Sequence, residues 1–192
     1  MKMFIVPVLF LTILPDVSFG VNSDDATCIQ PLEVNTTTGF YFRYLPVHPG
    51  TTRITFDAKA NNDVHIGLFP DQGGSEYYLI VIGSYANRVS DIRRCSSCVD
   101  VAEHWETGIV TQDEFRRFWI TFDCNGNISV GRNEEATPLL QWTDPNPLTV
   151  NYMGYSTGWG STGEFRFCDF GGESMLVCKK TLYYFSLAHR IW

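Results

Sequence analysis

The sequence predicts an all-β protein, an antiparallel β-sandwich or jelly roll containing disulfides, and three observations carry that prediction. Short apolar runs with a period of two recur at roughly 10 to 14 residues, the spacing of strands in a sandwich. No run of ten or more residues shows the 3.6-residue periodicity of an amphipathic helix. Pro-Gly, Asn-Asn-Asp, Asn-Gly and Asp-Pro-Asn-Pro separate the runs, supplying the residues that turns need.

The clearest element is a hairpin over Glu114 to Gly131. Phe118, Ile120 and Phe122 alternate with Trp119 and Thr121, and Ile128 and Val130 resume the alternation beyond Asn125-Gly126. Asn-Gly suits a type I′ turn, whose two central residues both need φ > 0. Upstream, strands are expected at Phe40 to Leu45, Arg53 to Lys59 and Val64 to Leu68. Tyr77 to Ile82 is almost continuously apolar, the pattern of a strand covered on both faces. Val89 to Arg94 is a further short strand, and Val101 to Trp105 suits a single helical turn. Leu139 to Trp142, Val150 to Tyr155 and Glu164 to Phe167 complete the set, with Lys179 to Phe185 as a candidate last strand.

The first twenty residues read as a secretory signal peptide. Lys2 is the basic start, Phe4 to Leu14 the apolar core, and Ser18-Phe19-Gly20 places small residues at a cleavage site. The apolar run is shorter than the ~18 residues a membrane span needs. The expectation is a secreted, extracellular protein without stable membrane insertion. It would be divided into an arm and first strand (21–51), a sandwich domain (52–168) and a C-terminal tail (169–192). A net charge of −7 argues against nucleic-acid partners and anionic membrane surfaces.

Six cysteines, Cys28, Cys95, Cys98, Cys124, Cys168 and Cys178, are expected in disulfides in an exported chain. Six allow about fifteen pairings, and the spacing selects none. Zinc at Cys95-x-x-Cys98 is the competing reading, and the lack of a second close pair weighs against it. Asn35 and Asn127 head glycosylation sequons.

The residues also resemble a known family. Phe56-Asp57-Ala58-Lys59-Ala60-Asn61-Asn62-Asp63-Val64-His65-Ile66-Gly67-Leu68 is similar to the opening of the farnesoic acid O-methyltransferase domain of animal secreted proteins. The resemblance continues through Glu76 to Gly83, Phe118-Trp119-Ile120, Ile128 to Gly131, Trp142 to Pro145 and Gly154 to Gly160, covering roughly residues 52–168. It implies methyl transfer from S-adenosylmethionine to a terpenoid acid, or a binding role in an extracellular protein. It brings no catalytic residues with it.

Motifs for catalysis lack their structural context. Gly154-Tyr155-Ser156-Thr157-Gly158 matches a nucleophile elbow, which requires a following helix, yet glycines follow. Gly158-x-Gly160-x-x-Gly163 matches a dinucleotide turn, yet Glu164 to Phe167 reads as strand. Asp123 to Asn127 is rich in oxygen ligands, with Glu134 twelfth from Asp123, but it is claimed by the hairpin. The four histidines show no ligand spacing. No catalytic residue, metal or cofactor is therefore expected.

The aromatic and polar residues of the late loops point instead to recognition. Trp142, Tyr155 and Trp159, with Asp144 and Asn151, combine stacking faces with hydroxyl-binding groups, a mixture suited to a glycan; an extracellular protein is the other candidate ligand. The sequence reading is a non-catalytic recognition module, with an S-adenosylmethionine-dependent methyltransferase as the alternative.

Overall fold

The computed structural model describes residues 31–133 and 135–167. The signal peptide, Cys28, Cys168, Cys178, Glu134, the tail and its candidate strand lie outside the described residues.

Among the described residues, twelve strands form two antiparallel six-stranded sheets packed face to face. Sheet I runs β1 (Leu32–Asn35), β12 (Gly163–Phe167), β3 (Arg53–Ala60), β8 (Arg116–Phe122), β9 (Asn127–Arg132) and β10 (Leu140–Thr143). Sheet II runs β2 (Arg43–Pro46), β11 (Tyr152–Thr157), β4 (Val64–Phe69), β5 (Tyr78–Gly83), β6 (Val89–Arg93) and β7 (Asp100–Trp105). The expected first strand is β2, an edge of sheet II, and the stretch before it, expected as an arm, supplies β1, an edge of sheet I. Asp100–Trp105 is a strand, not the expected helical turn, because Val89, Ser90, Asp91 and Ile92 offer it a ladder that a lone turn lacks.

The period of two divides each strand between the core and an outer face. From sheet I, Ile54, Phe56, Phe118, Ile120, Phe165 and Phe167 point inward; Val64, Ile66, Tyr78, Ile80, Met153 and Tyr155 meet them from sheet II. Phe56 is the centre, with ring centroids 5.9 Å from Phe118, 6.4 Å from Phe165 and 6.0 Å from Phe167. Tyr155 reaches across from the opposite sheet to within 5.3 Å of Phe167.

The predicted hairpin is present as β8 and β9, paired from Phe118↔Arg132 to Phe122↔Ile128. Its turn is not type I′. Only Gly126 takes a positive φ, of 83°, and the Asp123 carbonyl accepts from Gly126 N at 3.2 Å, so the turn spans four residues. The Asp123 carboxylate explains the difference: it accepts from the backbone N–H of Asn125 at 2.8 Å and of Asn127 at 3.0 Å, holding an Asx turn.

On the outer face of sheet I, Trp119 lies flat across its ladder partner Gly131, with the Arg53 guanidinium 4.7 Å above the ring. A Cβ at Gly131 would stand 2.1 Å from the indole. Gly131→Ala should therefore lower stability by about 1–3 kcal/mol, read as a shift in denaturant midpoint without loss of the β-sheet circular dichroism signal.

A candidate binding cavity on the outer face of sheet II

β4 and β5 are buried at every position, so sheet II must be covered on its outer face as well as its inner one. Ladder register sets the outer rows. Ser156, His65, Val81, Asp91 and Glu103 stand side by side, followed by Gly154, Gly67, Leu79 and Arg93. Half of this face is roofed by the chain leading into β2. Phe42 packs edge-on to Phe69 at 5.0 Å and to Tyr77 at 5.7 Å, filling the room left by Gly67 and Gly154. The other half is open and forms a cavity of about 710 Å³, within the roughly 300–1,000 Å³ usual for small-ligand sites.

Phe40, Leu79, Val81, Tyr85 and Trp159 give the cavity apolar surface, while Asp63, His65, Ser84 and Arg93 give it polar groups. Three connections build its walls. The β3–β4 turn carries Asp63, whose backbone N–H donates to the Gly83 carbonyl at 3.0 Å. The β11–β12 loop is fastened to that turn by Ser161, whose hydroxyl sits 2.6 Å from Asn61 Oδ1 and 2.7 Å from the Asn62 carbonyl. This leaves Trp159 86% exposed at the mouth. The β6–β7 loop brings Ser96 and Ser97, closed by the Cys95–Cys98 disulfide. That bond answers the zinc alternative. Cys124 is disulfide-bonded too.

The fourth wall, Ser84–Asn87 between β5 and β6, is a left-handed turn. Tyr85, Ala86 and Asn87 have φ of 50°, 59° and 60°. Such conformations cost roughly 1–2 kcal/mol per residue with a Cβ. The Asn87 side chain compensates by donating to the Val110 carbonyl at 2.7 Å and accepting from its N–H at 3.3 Å. Trp159 is also held at positive φ, 53°. Two exposed aromatics in strained backbone thus flank one cavity, the sort of place where strain accompanies function.

The polar floor is buried and densely charged. Asp91, fully buried, accepts from Ser84 Oγ at 2.7 Å and from Arg93 Nη2 at 3.0 Å. Arg93 Nε donates to Asp100 at 2.6 Å. Burial raises the Asp91 carboxyl above its ordinary range, opposed by the Ser84 hydrogen bond and the Arg93 charge. Burial, aided by Asp91 and opposed by Arg93, pushes Asp63 up to about 6. Burial, with Arg93, pulls His65 down to about 3, so its imidazole is neutral at physiological pH. His65 Nδ1 is buried and has no hydrogen-bond partner among the described residues; Nε2 is 3.9 Å from Asp63 Oδ1. A buried polar atom left unpaired is costly, and the surrounding packing, Phe40 edge-on at 4.9 Å, offers it nothing.

Of the five residues expected to bind ligand, only Trp159 lines this cavity. Tyr155 is in the core, on the inner face of β11. Trp142, on β10 of sheet I, packs edge-on to Tyr78 at 5.9 Å, at the end of sheet II away from the β3–β4 turn. There the buried Asp144 accepts from Tyr78 Oη at 2.8 Å and pairs with Arg94 at 2.6 Å, while Tyr78 Oη accepts from Leu148 N at 2.8 Å. Asn151 is exposed at that same end and donates to the Pro70 carbonyl at 2.9 Å. Of the sequon residues, Asn35 ends β1, and Asn127 Nδ2 donates to Asp123 at 2.8 Å. Ser156 is buried beside His65, its hydroxyl donating to the Thr157 carbonyl at 3.0 Å, and a strand follows its loop where an elbow needs a helix. Among the described residues no group of three or more His, Cys, Asp or Glu is placed to hold a metal, and no helix is long and apolar enough to cross a membrane.

Sequence reasoning missed His65, Asp63, Asp91 and Arg93. The one available signal was Asp91 itself, a carboxylate inside the apolar strand Val89-Ser90-Asp91-Ile92.

Two outcomes follow from this geometry. Tyr78→Phe should cost about 1–3 kcal/mol by leaving Asp144 and the Leu148 N–H short of a partner, measured by equilibrium unfolding. For Asp63, a folded-state value raised from 3.8 means the native state binds the proton more tightly, so stability is lost as pH rises through this window to about 6. Asp63→Asn should thus be more stable than the parent at neutral pH by on the order of 2 kcal/mol, with the advantage gone near pH ~4. Asn suits the backbone there, because Asp63 sits at φ 52°.

The family of farnesoic acid O-methyl transferase matches residues 36–170. No curated protein matches the sequence. Among solved structures, a Bacillus subtilis protein of unknown function with a galectin-like fold aligns at 11% identity and TM-score 0.48, covering 70% of this chain and 86% of that one. A carbohydrate-binding module from Bacillus subtilis aligns at 8% identity and TM-score 0.45, covering 67% and 92%. A galectin from Caenorhabditis elegans aligns at 12% identity and TM-score 0.43, covering 69% and 94%. With the greater part of its length matched, this chain belongs to the farnesoic acid O-methyl transferase family.

Proposed function

We propose that the protein is an exported, non-catalytic recognition module that binds a carbohydrate in the cavity on the outer face of sheet II. One observation carries the reading: an exposed Trp159 stands at the mouth of a cavity in which Asp63, Ser84 and an unpartnered His65 lie beside apolar Leu79 and Val81. A sugar ring has an apolar face that stacks on an aromatic and a rim of hydroxyls that both donate and accept. Trp159 and Tyr85 offer stacking faces, Asp63 accepts, and neutral His65 can do either. Export is supported by the basic, apolar and small-residue sequence of the first twenty residues and by cysteines in disulfides. Asn35 and Asn127 would then be available to glycosylation.

The family description favours a second reading, methyl transfer from S-adenosylmethionine. The described sheets are antiparallel throughout, whereas the glycine-rich cofactor turn weighed above requires a strand leading into a helix N-terminus. On the first reading the secreted protein binds members of a glycan array selectively, and Trp159→Ala weakens that binding at least about tenfold while leaving stability unchanged. Binding retained in the variant would remove Trp159 from the site. Saturable calorimetric binding of S-adenosylmethionine near one equivalent would favour the enzyme.

A further inference from the structure

We infer that the cavity selects an uncharged sugar and repels glycans carrying carboxylate, sulfate or phosphate. The inference rests on the carbohydrate reading and adds the chemical class of ligand to it. Arg93 is the one lysine or arginine lining the cavity among the described residues. Its charge is already matched by two carboxylates of the protein. Nη2 donates to Asp91 at 3.0 Å, Nε donates to Asp100 at 2.6 Å, and Asp91 Oδ1 lies a further 2.8 Å from Nε. Two carboxylates against one guanidinium already leave negative charge in excess, and Asp63 adds a third carboxylate to the wall.

Among the described residues, nothing on the facing elements restores the balance. His65, from β4, is neutral, and Glu103 continues the row of His65 and Asp91 on β7. Arg88, on the β5–β6 turn, is exposed outside the lining and donates through Nε to the Tyr85 carbonyl at 2.9 Å. An anionic ligand would therefore lose its water to meet buried carboxylates. That is a repulsive element of the kind by which sites exclude wrong partners. A neutral sugar meets no such repulsion: its hydroxyls can donate to Asp63 and meet the imidazole of His65, whose buried Nδ1 has no hydrogen-bond partner among the described residues. The buried, unpartnered imidazole distinguishes this wall from an acidic patch that is merely solvated.

The test is a panel of neutral oligosaccharides, each immobilised beside its sialylated and sulfated derivatives and probed with the full secreted chain and with Asp63→Asn. The expected result is binding to neutral members, with acidic derivatives at least about tenfold weaker, and a narrower gap in the variant. Acidic derivatives bound as tightly as their neutral parents would overturn the inference while leaving the carbohydrate reading in place. A panel on which nothing binds would overturn both. A gap unchanged in Asp63→Asn would remove Asp63 from the selection. Unfolding curves of the variant keep a folding defect from passing as lost recognition, and the left-handed backbone at residue 63 accommodates Asn.

Discussion

The structure turns on a covering problem. β4 and β5 are buried on both faces, so sheet II cannot rely on the sandwich core alone to exclude water. The inner face is satisfied by the Phe56-centred core. The outer face is satisfied on one side by Phe42, Tyr44 and Phe69, drawn close by the side-chain-free strips at Gly67 and Gly154. The remaining part is where loops from four connections converge without filling the space. The cavity is thus a consequence of how the outer face is roofed.

What lies on its floor would be unfavourable for stability alone. A half-buried arginine with two carboxylates gains by Coulomb attraction roughly what it loses in desolvation, and apolar residues of equal volume often serve a fold better. Asp63 and His65 go further, because burial shifts each towards its uncharged form while neither obtains a good hydrogen bond from the other. Natural cores tolerate few such groups. Their concentration beside an open cavity, flanked by Tyr85 and Trp159 in left-handed backbone, is most simply understood if a ligand completes the hydrogen bonding.

Two polar clusters of sheet II divide the labour. At the end holding Tyr78 and Asp144, polar groups are mutually satisfied: Tyr78 links Asp144 to Leu148, and Arg94 closes the charge. That cluster locks the β10–β11 connection onto the sheet. In the outer-face cavity the polar groups are incomplete and the aromatics exposed. The same residue types, a carboxylate, an arginine and aromatic rings, serve architecture in one place and are available for recognition in the other.

Much of the architecture was legible in the chain. Alternation in Arg53–Ala60 and Arg116–Phe122, the double-sided apolar run at Tyr78–Gly83 and the turn residues between them determine an antiparallel sandwich, because periodicity and turn chemistry are local properties. The family resemblance, too, is a property of residues in order. Val101 to Trp105 was misread because a strand of partly exposed residues takes its ladder from a neighbour, and pairing is not encoded in one segment. The site was misplaced for the same kind of reason. Trp142, Tyr155 and Trp159 are close in sequence, yet strand reversals send the first to the far end of sheet II, the second into the core and only the third to the cavity. His65 is far along the chain from Asp91 and Arg93 and became their neighbour only when β4, β5 and β6 paired in register. The sequence by itself determined which residues alternate and where the chain turns; which side chains share a face, and hence where a ligand finds them, was decided by strand pairing across the sheet.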